Sequence, residues 1–204
     1  MEALTLAEVR LAGDPGDFYT DALGLPGGRI GASLLEFSGE GAAFYHFAFL
    51  VPGDRFAAAR DWAAARVDLL ATIDFPAWDA RACYFHDPAG NIAELIAHRD
   101  IGATGRLGPF APEELLAISE LGLPGADPAD LAAFGLPAWD HGGPLTFCGR
   151  KGHTLIVAPT GRGWVPTDRP AEVHPAEVGV SGLEGEAGLA GLPYRLYGVR
   201  PQRS

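Results

Sequence analysis

Basic residues are scarce in this chain: 15 Lys and Arg stand against 26 Asp and Glu, giving a net charge of −11. With a sequence pI near 4.8, that balance excludes an electrostatic footprint for nucleic acid or for an anionic membrane surface. Cysteine is scarcer still. Cys83 and Cys148 lie in different parts of the chain without paired spacing, so no disulfide framework is implied and a reduced, cytoplasmic setting is expected. No apolar run approaches the ~20 residues of a membrane span. Residues 1–5 carry neither a basic nor an apolar leader segment, so no signal peptide is readable. The chain has no nucleophile elbow, P-loop or Rossmann glycine pattern, and no histidine precedes His46. Its 28 glycines and 17 prolines in 204 residues mark a loop-rich globular protein and fall short of the level that implies disorder.

What is present is a unit written more than once. Residues 4–11 alternate as a strand, with Leu6, Glu8 and Arg10 on one face. Asp14-Pro15 then reads as a helix start, with Phe18, Ala22 and Leu25 as its apolar stripe, before strand material at 29–38. A fuller copy follows. Residues 44–51 form a strand, Phe56, Ala59, Ala63 and Val67 recur at helical spacing, and 69–73, 81–86 and 91–97 are strands, so the order is βαβββ. Asp87-Pro88-Ala89-Gly90 is hairpin punctuation. Residues 99–112 read as a linker. A third unit has strands at 115–121, 145–148 and 153–158, a helix from Asp127-Pro128 to Phe134, a long turn over 159–175 and a last strand at 192–197. Pro-Ala-Trp-Asp occurs twice, at 76–79 and 137–140, at non-equivalent places in its units, and reads as coincidence.

Superposing the units puts Glu8, His46 and Glu120 at one place in the opening strands and Glu36 and Glu94 at one place in the closing strands, with Ile156 in the third. Alternation sets His46 with Phe44 and Ala48, and Tyr45, Phe47 and Phe49 on the other side. A strand apolar on both faces must line an interior as well as meet a helix. The pattern Phe-Tyr-His-Phe-Ala-Phe at 44–49, followed by Tyr-Phe-His-Asp-Pro-Ala-Gly-Asn-Ile-Ala-Glu-Leu at 84–95, resembles the vicinal oxygen chelate superfamily of glyoxalase I, extradiol dioxygenases and bleomycin-resistance proteins. The resemblance implies an α+β fold in which paired βαβββ modules curl a mixed sheet into a glyoxalase-like cup. It places metal ligands at Glu8, Glu36, His46 and Glu94, with Glu94 and Tyr84 as catalytic residues. A histidine with oxygen ligands suits Fe, Mn, Zn, Ni or Co as divalent ions. Catechol-cleaving members use two histidines and a glutamate. Glu8 stands at the first histidine's place here, which disfavours ring cleavage.

These readings set the expectations. Residues 1–98 would form a paired-module domain, 99–112 a linker and 113–204 a third module. The function would be that of a divalent-metal enzyme acting on a small, oxygen-rich substrate by isomerase, lyase or dioxygenase chemistry. The rival is a metal-free cup, lined by Phe44, Tyr84 and Trp78, that sequesters an aromatic or antibiotic-like ligand. A third module without a mate would leave a half-cup, to be covered within the chain by the strand around Tyr194 to Tyr197 or, as the favoured solution, completed by a twofold partner in a homodimer.

Overall fold

The computed structural model describes residues 4–199. The first unit holds β1 (Thr5–Leu11), α1 (Phe18–Asp21), β2 (Arg29–Ile30) and β3 (Ser33–Phe37). The second holds β4 (His46–Val51), α2 (Phe56–Ala64), β5 (Leu69–Phe75), β6 (Ala80–His86) and β7 (Ile92–His98). The third holds β8 (Ala117–Pro124), α3 (Pro128–Phe134), β9 (Ala138–Gly142), β10 (Leu145–Arg150) and β11 (His153–Ala158). A fourth, without a helix, holds β12 (Ala176–Ser181), β13 (Glu186–Gly188) and β14 (Tyr194–Val199). The fourth unit was not anticipated, because β12 and β13 are short and interrupted by glycine, which removes the strand period.

Each unit repeats one ladder. Its first and last strands pair in parallel: β1 with β3, β4 with β7, β8 with β11, and β12 with β14. The last strand then pairs antiparallel with the strand before it. Helix termini follow local chemistry. Asp127 caps α3 by accepting from the Ala129 N–H at 2.8 Å, and Gly135 closes it at φ +107°. Asp14 instead accepts from the Gly16 N–H in a turn, and Gly16 at φ +60° delays α1, which is a single turn.

How the units pair is the main correction. Units one and two do not form a cup together. β4 runs antiparallel to β8, joining units two and three, and β1 runs antiparallel to β12, joining units one and four. A bridge between Leu6 and Ile118 links the halves, so the 14 strands of the described residues lie in one mixed sheet. Adjacent chain segments usually pair, but here units of equal size meet: units one and four have three strands each, and units two and three have four each. The half-cup expected to need a homodimer partner is completed within the chain.

Two apolar layers flank the sheet. One lies under the helices and includes Val9, Phe47, Phe49, Phe56, Trp62 and Leu121. The other fills the concave face of units two and three and includes Phe44, Ala48, Tyr84, Ile92, Ile156 and Trp164. β4 is buried along its whole length, as its two apolar faces require. Residues 99–111 hold neither helix nor strand and are fastened by Arg55. Its buried guanidinium pairs with Glu114 at 2.8 Å and donates to the carbonyls of Arg106, Gly108 and Pro109. No helix of the described residues is long and apolar enough to cross a membrane.

Candidate metal centre

Where β4, β7 and β8 lie side by side, Ala48 faces Glu94 on one neighbour and Glu120 on the other. His46 sits two residues earlier on the same face. The three side chains converge, with one potential ligand atom from each within 4.8 Å of the others. His46, Glu94 and Glu120 are 5, 2 and 3% exposed, so water cannot screen their charges. Ile156 holds the fourth equivalent position and offers no ligand. The expected pair His46 and Glu94 is brought together. Glu120 is the residue that sequence reasoning left out, although its superposition on His46 was the signal that could have found it.

The proton arrangement is set by hydrogen bonds. His46 Nδ1 lies 3.2 Å from the Ile92 carbonyl, which fixes the ring proton there and leaves Nε2 as a lone pair. Burial lowers the His46 pKa to about 4; the Ile92 carbonyl opposes this and the positive charge of Arg162 adds to it. The imidazole is therefore neutral at pH 7. Its Nε2 nevertheless lies 3.4 Å from Glu94 Oε2, which is no ion pair with a neutral ring. Two lone-pair atoms at that distance need a cation between them, either a proton or a metal. Burial raises Glu94 well above the carboxylate range, the Glu120 charge adds to this, and a hydrogen bond from Tyr84 pulls it back. Burial alone pushes Glu120 up to about 7. Glu120 Oε1 has no hydrogen-bond partner among the described residues. A buried, unpaired carboxylate oxygen is costly and marks a place for a ligand.

A cavity of about 80 Å³ opens onto the three residues, walled by Trp78, Tyr84, Phe147, Ile156 and Trp164. Of the two Pro-Ala-Trp-Asp copies, the first supplies Trp78 to the lining and the second packs against it. Trp78 packs on Trp139 at 5.2 Å and donates its indole N–H to Asp140, while Trp139 donates to Thr154. Residues 159–175 cross the mouth, and Trp164 lies 4.9 Å from the His46 ring. Phe44, expected in the lining, lies under the Arg169 guanidinium at 3.7 Å. Gly122 makes room for the indole, since a Cβ there would come within 2.7 Å of it. Gly122→Val is therefore expected to lift Trp164 off His46 and red-shift tryptophan emission. The shift should vanish in a Trp164→Phe background; an unchanged spectrum would show that the loop absorbs the added methyls.

Glu8 and Glu36, expected as ligands, are not at this centre. They lie on the sheet face of units one and four, where the ladder reproduces the same positions. Arg10 there faces Glu36 and Glu177 as Ala48 faces Glu94 and Glu120, and Tyr197 faces Gly179 as Ile156 faces Gly122. The Arg10 guanidinium reaches Glu36 at 2.6 Å and Glu8 and Glu177 at 3.8 Å, and the Tyr197 hydroxyl donates to Glu8. One face thus carries its cation on its own chain. At the other, Ala48 leaves that place without one.

No family model matches the sequence, and no curated protein sequence matches it. Solved structures do. A candidate dioxygenase of Bacillus subtilis is 14% identical, with 98% of this chain and 87% of that chain covered at a TM-score of 0.63. Glyoxalase I of Zea mays is 14% identical, with 87% of this chain and 75% of that chain covered at a TM-score of 0.51. At that identity these likenesses establish a shared fold: the chain is folded as those two structures are.

Proposed function

We propose that His46, Glu94 and Glu120 hold one divalent metal ion and that the protein is a metal-dependent enzyme acting on a small, oxygen-rich substrate. The observation that carries this is the orphaned Glu120 Oε1 beside a neutral His46 and Glu94 in a buried pocket. Two carboxylates and a neutral imidazole suit Fe, Mn, Zn, Ni or Co, and a dication balances the two negative charges. When bound, such an ion supplies Lewis-acid polarisation of two neighbouring substrate oxygens. Three protein donors with Ile156 at the fourth place leave positions open for that substrate, as catalytic sites do.

The chain's own residues do the rest. Ile92 holds the imidazole so that Nε2 faces the cup. The Tyr84 hydroxyl, its pKa raised by burial and by Glu94, stays protonated and orients that carboxylate. Glu120, whose Oε1 has no hydrogen-bond partner among the described residues, is the carboxylate able to take a proton from a substrate carbon and return it at an adjacent one. Trp164 and the apolar walls exclude water while it does so. That assignment favours isomerase or lyase chemistry over ring cleavage.

Elemental analysis of protein purified without chelators is expected to give about one equivalent of metal, and His46→Ala less than a tenth. Less than a tenth in the wild type would instead support the metal-free binding cup, in which a proton sits between His46 Nε2 and Glu94 Oε2.

A further inference from the structure

We propose that the cup takes a small monoanion, a two- or three-carbon 2-oxo or 2-hydroxy acid, whose carboxylate pairs with Arg162 beneath the cover of Trp164. The inference deepens the metal reading above and takes its charge count from it, while its own evidence is Arg162.

Arg162 lies on the loop that crosses the mouth, and its side chain lines the same cavity as Glu94 and Glu120. Its backbone is fixed on both sides: its N–H donates to the Pro159 carbonyl and its own carbonyl accepts from Ala171. The guanidinium donates once, from Nη1 to the Gly163 carbonyl at 2.9 Å. Among the described residues no carboxylate lies within ion-pair distance of it. A guanidinium with free donors on an apolar wall is built for a planar oxyanion.

Charge and volume narrow the ligand further. A dication, two carboxylates, a neutral imidazole and Arg162 sum to one positive charge, which a monoanion neutralises. The cavity of about 80 Å³ is small. A small, compact ligand suits it better than an extended one. A 2-oxo or 2-hydroxy acid meets both demands: its carboxylate serves Arg162, and its carboxylate and neighbouring oxygen together provide the vicinal oxygens.

The test is calorimetric titration of the protein as purified with pyruvate and with hydroxyacetone, its neutral counterpart, alongside metal analysis. Pyruvate is expected to bind at least tenfold more tightly than hydroxyacetone. Arg162→Met should erase that preference, Arg162→Lys should restore part of it, and the metal content of both variants should match the wild type. Equal binding of the two compounds, a preference that survives in Arg162→Met, or no pyruvate binding at tens of millimolar would overturn the proposal. A metal-free protein that still prefers pyruvate through Arg162 would uphold this anion subsite and sink the metal reading. Metal-loaded protein without the preference would do the reverse.

Discussion

Replacing Glu120 with glutamine is expected to make the metal-free protein more stable at pH 8 and to weaken divalent-ion binding at least a hundredfold. The stability half follows from the sign of the pKa shift. A carboxyl raised from 4.5 to about 7 leaves its contribution intact below pH 4.5 and loses it as pH rises through 7. At pH 8 the ionised, unpaired Glu120 costs the metal-free fold on the order of 3 kcal/mol, at about 1.4 kcal/mol per unit. Glutamine keeps the shape and removes the charge, so the thermal midpoint should rise by several degrees at pH 8 and hardly move at pH 4.5. The affinity half follows from losing one of three donors, since even outer contacts of metal ligands are worth 10–100-fold. Melting curves of chelator-treated protein at the two pH values, with metal titration at pH 8, decide it. A glutamine variant that melts lower at pH 8, or that keeps its metal, would remove Glu120 from the centre.

The two faces of the sheet make the same argument from within the molecule. Three carboxylates on the face of units one and four converge on Arg10, and all are half-open to solvent, where a surface network is worth little. The equivalent place between units two and three is closed to water and has only Ala48, fully buried. A buried pair of carboxylates needs a counter-charge more than an exposed set does. Among the described residues no Lys or Arg lies within ion-pair distance of Glu94 or Glu120, and that asymmetry favours a bound cation there.

Much of this was legible in the sequence because strand periodicity and local punctuation are short-range. The register that equates Glu8 with His46 and Glu36 with Glu94 is present in the ladders, since Arg10 faces Glu36 as Ala48 faces Glu94. The placement of Ile156 at the fourth position also stands. The choice of partner was not legible. Which opening strands meet edge to edge depends on how many strands each unit has left, and β12 and β13 were hidden in a glycine-rich stretch. With the wrong pairing, Glu120 fell outside the cup and Glu8 fell inside it. The meeting of Trp78 and Trp139 was equally out of reach, because it exists only once units two and three face each other.

Acidification is expected to unfold the protein steeply between pH 6.5 and 4, and His98 should account for a separable share. Burial lowers three histidines, His46, His98 and His153, from 6.5 to about 4. A depressed histidine contributes stability above pH 6.5 that is lost as pH falls towards 4, because the unfolded chain takes the proton first. Each such shift is worth on the order of 3 kcal/mol at full extent. Glu94 and Glu120 act oppositely in the metal-free protein, whose fold gains from their protonation as pH falls. Metal holds both carboxylates ionised, so the loaded protein should show the steeper loss. His98 gives the cleanest measurement, lying at the end of β7 away from the proposed ligands. It is fully buried, neither ring nitrogen has a hydrogen-bond partner among the described residues, and beyond burial Lys151 lowers its pKa while Asp100 opposes. His98→Leu removes an unsatisfied polar ring and its linked proton together. Denaturant unfolding across this pH range should show a variant more stable than the wild type at pH 4.5, with about one proton less in the slope. A slope unchanged from the wild type would mean that His98 titrates normally and that a path for water reaches the base of the cup.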